Sequence, residues 1–423
     1  MTLFEELNWR GYINQITHDE LPSVLAKESL TLYCGFDPTA DSLHIGSLLP
    51  ILGLAHFQRH GHKPIALVGG GTGLIGDPSG KTRERSMLSR DDVERNVEGI
   101  RAQLERFLDF KGPNAATLLN NADWLCEIGL LTFLRDIGKH FSINMMLNRD
   151  SVRMRLEDRD HGISYTEFSY ILLQSYDFLY LNEKYDCRLQ VGGADQWGNI
   201  VSGMDLARRL RNTSTYGLTF PLVTKADGSK FGKSEAGNIW LDAERTSPYR
   251  FYQFWMNQAD ADTGKYLRYF TFLSHAEIDA LDQALRDAPE QRLAQKRLAE
   301  EVTLLVHGKT ALANAQAASK AMFGGSLNDL DEDTLADVFS EVPSAELALR
   351  HIAGQTPLLD ALVEAKVFAG KSEAKRLVRN GGLYLNNERI DAEDVRLSEA
   401  CLLAGRMTVI RTGKKNYHLL KFV

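Results

Sequence analysis

Two short segments hold the residues best suited to chemistry. CGFDPTADSLHIGS runs from Cys34 to Ser47, and KADGSKFGKS covers 225–234. In the first, His44 and Ser47 stand three residues apart at the start of a predicted helix and so share a face. Free N–H groups at a helix start favour an anion, and Gly46 lets another group approach the backbone closely. Asp37-Pro38-Thr39 is turn chemistry, and Thr39 also offers a hydroxyl to a phosphate. In the second, Lys230 and Lys233 put two cations in a loop with Gly and Ser. Such a loop can close over a triphosphate and stabilise charge as pyrophosphate departs. A structural histidine or a solvated turn would carry either segment alone; together they point to ATP.

A glycine-rich stretch, GGGTGLIGDPSGKTRER, spans 69–85. It misses the phosphate-binding pattern G-x-x-x-x-G-K-[ST] by one position: with Lys81 as its lysine, the first glycine falls on Ile75. A nucleotide kinase of that type loses its main support. The stretch still leaves Asp77 for a substrate ammonium, and Lys81 and Arg85 for a polyphosphate or RNA.

These segments must be positioned by a larger frame. With 423 residues, 43% of them apolar, the chain predicts two or three domains with sizeable cores. A strand over 31–36, a helix over 43–60 capped by Asp41 or Ser42 and kinked at Pro50, and a strand over 64–70 indicate a doubly wound α/β sheet. Strand, helix and strand resume over 187–192, 195–211 and 219–223, while 91–185 reads as mainly helical. The strand pattern then disappears from about 245 to 350. The expected division is 1–240, 241–350 and 351–423. Net charge is -7, yet residues 357–423 hold 12 Lys/Arg against 8 Asp/Glu, which points to the tail as one RNA-contacting surface. Four scattered cysteines, Cys34, Cys126, Cys187 and Cys401, argue against a disulfide framework or a zinc site. With no apolar run long enough for a membrane and no signal-like start, a cytoplasmic protein is expected.

HIGS at 44–47 and KFGKS at 230–234 resemble the two signatures of class I aminoacyl-tRNA synthetases, with Ser47 where a second histidine is usual. LYCGFDPTADSLHIG, LVGGGTGLIGDPSGK, YTEFSYILLQSYDFLYL and LQVGGADQWGNI, in this order, resemble the tyrosyl-tRNA synthetase family across essentially the whole chain. The resemblance implies a Rossmann-like catalytic domain, an α-helical domain and a small S4-like α+β RNA-binding domain. It also implies ATP-dependent ligation of tyrosine to tRNA(Tyr) through an adenylate, with magnesium accompanying ATP, no tightly bound cofactor and a homodimer.

Position by position, the resemblance implies that Tyr33 and Asp177 meet the phenol of tyrosine. Asp77, Tyr170 and Gln174 hold its ammonium, with Asn121 nearby, and Gln190, Asp195 and Gln196 line the amino-acid and adenylate sites. Cys34, Gly35, Asp37, Thr39, His44, Gly46, Ser47, Gly193 and Ser234 face ATP or the adenylate. Lys81, Arg85, Lys230 and Lys233 face pyrophosphate, the first two also the tRNA end. In the tail, two predicted helices over 358–380 present Lys371, Lys375, Arg376 and Arg379 to RNA. The related tryptophan-activating enzymes share the site logic but do not need the Tyr33/Asp177 pair.

Overall fold

The computed structural model describes all residues except 80–86, 158–161, 230, 235–236, 323, 329, 341 and 414–415. Its first sheet holds six strands: β1 (Gln15–Ile16), β2 (Thr31–Phe36), β3 (Lys63–Val68), β4 (Thr117–Asn120), β5 (Cys187–Gly193) and β6 (Tyr216–Phe220), in the order β1-β6-β5-β2-β3-β4. All neighbours run parallel except β1, which pairs antiparallel with β6. The chain adds β3 on one side of β2 and β5 on the other. This reversal opens a crevice at the carboxyl ends of the strands, the place where Rossmann-like sheets hold ligands.

The strands are near-continuous apolar runs, as parallel strands covered on both faces require. In β3, only Lys63 is exposed. Tyr33, Ile65, Leu67 and Cys187 pack with Trp124, Phe178 and Leu181 in one buried cluster. Phe178 and Leu181 come from the long helix Tyr165–Tyr185, whose inward face therefore also aims Asp177 at the sheet.

The mainly helical stretch 91–185 gains one strand, and four local expectations change. In that stretch TLLN forms β4, which pairs with β3 and brings Asn121 to the sheet's edge. Four apolar residues are too short for their period to separate strand from helix. The strand expected at 219–223 lies at 216–220, ahead of Pro221, which has no N–H for a ladder. The helix expected from 43 begins as a 3-10 turn at Ile45–Ser47 and continues as Leu48–Arg59. Its first cap is His44 rather than Asp41 or Ser42, because the Ser42 hydroxyl bonds the Leu43 carbonyl and the Gln103 amide. Pro50 falls in the first turn of that helix, where a missing N–H is tolerated.

The chain divides into two compact units, Met1–Asp242 with Gln258–Ala294, and Ala243–Asn257 with Gln295–Val423. Residues 241–350 are thus shared between them: helices Asp260–Phe270 and His275–Asp287 belong to the first. A two-stranded ribbon, β7 (Lys233–Ser234) and β8 (Gly237–Asn238), also lies in the first unit. The second contains a helical part and a five-stranded mixed sheet of β9 (Ser344–Leu347), β10 (Leu383–Leu385), β11 (Glu388–Arg389), β12 (Met407–Thr412) and β13 (Asn416–Phe422), in the order β11-β10-β12-β13-β9. Helices Leu358–Glu364 and Lys371–Arg379 bury Leu358, Leu362, Ala374 and Val378 against Leu383, Ile410 and Leu420 of this sheet, the expected S4-like α+β module.

The helix Leu293–Ala321 is broken at Gly308, where φ is 83° and ψ is 177°. That conformation is essentially reserved for glycine. Gly308→Ala should lower stability by about 1–3 kcal/mol, measured as a shift in the urea unfolding midpoint.

Candidate active site

A cavity of about 280 Å³ opens at the carboxyl ends of β2, β3 and β5. Its lining includes Tyr33, Cys34, Gly35 and Asp37 from β2 and its exit, Asp77 beyond β3, Asn121 beyond β4, Tyr170, Gln174 and Asp177 from the long helix, and Gln190, Gly193, Asp195 and Gln196 from β5 and the turn after it. Residues 170, 174 and 177 are spaced so that one helical face points inward. All the residues expected at the amino-acid end therefore converge.

Asp177 lies at the most buried end, 2% exposed. Trp124 donates its indole N–H to Oδ1 at 2.7 Å, and Asn121 donates from Nδ2 to Oδ2 at 2.9 Å. Burial pushes its carboxyl up to about 7, against the lowering effect of those two donors. Nearby, the Tyr33 hydroxyl is buried without a hydrogen-bond partner among the described residues, as is Oε1 of Gln190. Burial holds the Tyr33 phenol well above its ordinary range, so it stays neutral and can donate. An unpaired buried hydroxyl is costly, which marks this end as built for a polar group that a ligand supplies.

At the other end, Asp77 accepts the Ser79 N–H at 2.9 Å and the Gln196 amide at 2.7 Å. Gln174 donates to Gln196 at 3.2 Å and accepts from Asn199 at 3.0 Å. Tyr170 donates its hydroxyl to Asp37 at 3.1 Å. Its remaining lone pair, with the Asp77 carboxylate and the amide oxygens, makes an acceptor-rich wall suited to an ammonium. Cys34 is buried, and burial raises its thiol to about 12. It is therefore a neutral, poor nucleophile.

The two signature segments meet beside this cavity. Ile45 donates its N–H to the Ile239 carbonyl at 3.0 Å, and Leu241 donates to Leu43 at 2.8 Å. His44 and Trp240 form the bridge between them. Ile239 in turn donates to Gly232 at 3.1 Å. Gly232 has φ 87°, and a Cβ there would approach Ile45 Cγ1 to 3.2 Å, so the glycine of KFGKS is needed for both backbone and packing. Phe231 anchors the same loop by stacking on Phe270 at 5.3 Å.

Nδ1 of His44 accepts the Gly46 N–H at 3.0 Å. A ring accepting at Nδ1 carries its proton on Nε2, and His44 is exposed. A Cβ on Gly46 would lie 2.7 Å from His44 Cε1 and displace the ring. Thr39, His44, Gly46 and Ser47 do not line the cavity; they belong to the neighbouring HIGS turn and the segment leading to it. Ser47 makes no side-chain cap to the helix it precedes. Lys81, Arg85 and Lys230 lie outside the described residues, as do the side chains of Lys233 and Ser234.

Sequence reasoning missed Trp124, Thr72 and Asn199. Each acts through a partner far along the chain, with Trp124 and Asp177 separated by 53 positions. In the tail, Lys371, Lys375 and Arg379 are paired with Asp360, Glu393 and Glu393 at 2.6, 3.1 and 2.7 Å, and Arg376 is exposed.

Known proteins match this arrangement. The family described as tRNA synthetases class I (W and Y) matches residues 25–324, and the tyrosine–tRNA ligase SYY-like C-terminal domain matches 334–420. A tyrosine–tRNA ligase of Roseiflexus castenholzii is 56% identical over 100% of both chains, and one from Geobacillus stearothermophilus is 53% identical, again over 100% of both. Among solved structures, a C-terminally truncated mitochondrial tyrosyl-tRNA synthetase of Aspergillus nidulans superposes with a TM-score of 0.69 at 32% identity, covering 76% of this chain and 94% of that one. With matches over nearly its full length, a cavity built around a buried phenol and carboxylate, and two joined signature segments beside it, the chain belongs to the tyrosyl-tRNA synthetase family of class I aminoacyl-tRNA synthetases.

Proposed function

We propose that this protein activates L-tyrosine with ATP and transfers it to tRNA(Tyr), and that the cavity residues divide the work by position. The carrying observation is the buried Tyr33 hydroxyl, without a partner among the described residues, at the end of the cavity that holds Asp177. Tyrosine's phenol donates to the Asp177 carboxylate and accepts from Tyr33. Its ammonium faces Asp77, Tyr170 and Gln174. Gln190, Asp195 and Gln196 line the amino-acid and adenylate space, and Cys34, Gly35, Asp37 and Gly193 the nucleotide end, with Thr39 assigned to a phosphate from outside the cavity. The substrate carboxylate then attacks the α-phosphorus in line and pyrophosphate leaves, so no protein nucleophile is required. His44 stabilises the developing phosphate charge through Nε2–H, with Lys230, Lys233 and Ser234 assigned to the same task from the KFGKS pattern. A ribose hydroxyl of the tRNA end next attacks the adenylate carbonyl and AMP departs.

Magnesium is assigned to the triphosphate as part of the substrate. Among the described residues no group of three or more His, Cys, Asp or Glu side chains could hold a metal ion. Lys81 and Arg85 are placed at the pyrophosphate and tRNA end. Lys371, Lys375, Arg376 and Arg379 are placed against tRNA phosphates. The ion pairs of Lys371, Lys375 and Arg379 are solvent-exposed and therefore weak, so phosphate can replace the carboxylates at small cost. A homodimer is assigned from the family, with the exposed Leu130, Leu131 and Ile143, 71%, 81% and 58% accessible, as candidate contact residues. Four unpaired cysteines fit a cytoplasmic location.

The test is amino-acid-dependent exchange of labelled pyrophosphate into ATP. Tyrosine should support it and phenylalanine and tryptophan should not. Exchange with tryptophan but not tyrosine would overturn the assignment.

A further inference from the structure

Asp177 is assigned to the substrate phenol and Asp37 to the nucleotide, and a directed chain of hydrogen bonds joins the two carboxylates. The Asn121 amide is pinned because its Oδ1 accepts the N–H groups of Gly71 at 2.8 Å and Thr72 at 3.4 Å. Both protons on Nδ2 are then fixed, one donated to Asp177 Oδ2 at 2.9 Å and one to Thr72 Oγ1 at 3.0 Å. Since the Thr72 oxygen is accepting there, its own proton goes to Asp37 Oδ1 at 3.0 Å. The other Asp37 oxygen takes the Tyr170 hydroxyl. Asn121 and Thr72 are 1% and 2% exposed, so water cannot substitute easily for a lost link, and low dielectric strengthens each one.

We infer that Thr72 is a positioning residue that ties recognition of the substrate phenol at Asp177 to the placement of Asp37 at the nucleotide end. This rests on the proposed function for the identity of the two ends. Movement of the Asp177 carboxylate toward a bound phenol pulls on the Asn121 amide, which cannot rotate freely, and through the Thr72 hydroxyl resets Asp37. Thr72 needs no contact with the phenol for its loss to be felt there.

The experiment uses the full-length protein with pyrophosphate exchange, normalised to active sites by titration. Thr72→Val keeps the volume and removes the hydroxyl. The ATP KM should rise about fivefold, and the tyrosine-to-phenylalanine ratio of kcat/KM should fall about tenfold, in the same variant. Thr72→Ser should restore both to within about twofold. If Thr72→Val does not fold, Thr72→Ala is read by the same two ratios. A rise in ATP KM with selectivity unmoved, or the reverse, shows that the ends are independent and overturns the inference. A lower kcat with both quantities unmoved marks a purely structural role and overturns it equally. Absence of tyrosine-dependent exchange in the unsubstituted protein is a different result, which removes the functional reading and this inference together.

Discussion

Asp177→Asn is expected to lower kcat/KM for tyrosine by about 10²–10³-fold. The carboxylate is held by two donors, Trp124 and Asn121. An amide at this position must turn an NH2 group toward one of them and also loses the acceptor for the phenol. Removing one side of a buried charged interaction costs about 3–5 kcal/mol, which sets the scale. Steady-state exchange kinetics across tyrosine concentrations would check it, and a variant within tenfold of the unsubstituted protein would remove Asp177 from phenol recognition.

The same residue dictates a pH dependence. Burial pushes the Asp177 carboxyl up to about 7 in the folded protein, while an unfolded Asp titrates near 3.9. Folding therefore gains from Asp177 at low pH, where both states are protonated, and loses that contribution as pH rises from about 4 to about 7. Asp177→Asn should lack this slope, so melting temperatures across pH 5–8 should move in the variant's favour relative to the unsubstituted protein. Tyrosine binding runs the other way. Only the ionised carboxylate accepts the phenol proton, so the tyrosine KM should fall as pH rises toward 7 and level off above it.

His44→Ala should reduce kcat for adenylate formation by about 10²-fold, with both substrate KM values changing by less than about threefold. The reason is the Nε2–H donor, a tautomer set by the bond that Nδ1 accepts from Gly46. Loss of that cap should separately lower stability by about 0.5–2 kcal/mol. His44→Ser distinguishes the two contributions. Its hydroxyl can cap the turn and recover stability, but it cannot reach as far as the imidazole, so the rate should stay low. Single-turnover adenylate formation together with thermal melts separates them; recovery of rate along with stability in His44→Ser would make the histidine a structural cap.

Several features were legible because they are local in the chain. HIGS and KFGKS identify themselves by residue type and short spacing. Tyr170, Gln174 and Asp177 share a face because helical periodicity is a local property. The alternation of strand and helix around 31–70 and 187–220 announces a parallel sheet. By itself, then, the sequence determined the sheet class, the nucleotide chemistry and most of the side chains that line the cavity. It did not determine how those side chains hold one another. Asn121 reaches Asp177 and Thr72 only because β4, four residues long, pairs with β3 and sets the chain's exit beside the end of β3. Gly232 meets Ile45 only because 239–241 folds back on 43–45. The helical stretch after 240 is shared between two compact units rather than standing alone. Strand order and backbone pairing bring together residues many tens of positions apart, and neither has a signature within one segment. The directed path from Asp177 through Asn121 and Thr72 to Asp37 was decided by tertiary structure alone, because each link depends on which oxygen or nitrogen faces which partner after the sheet has formed.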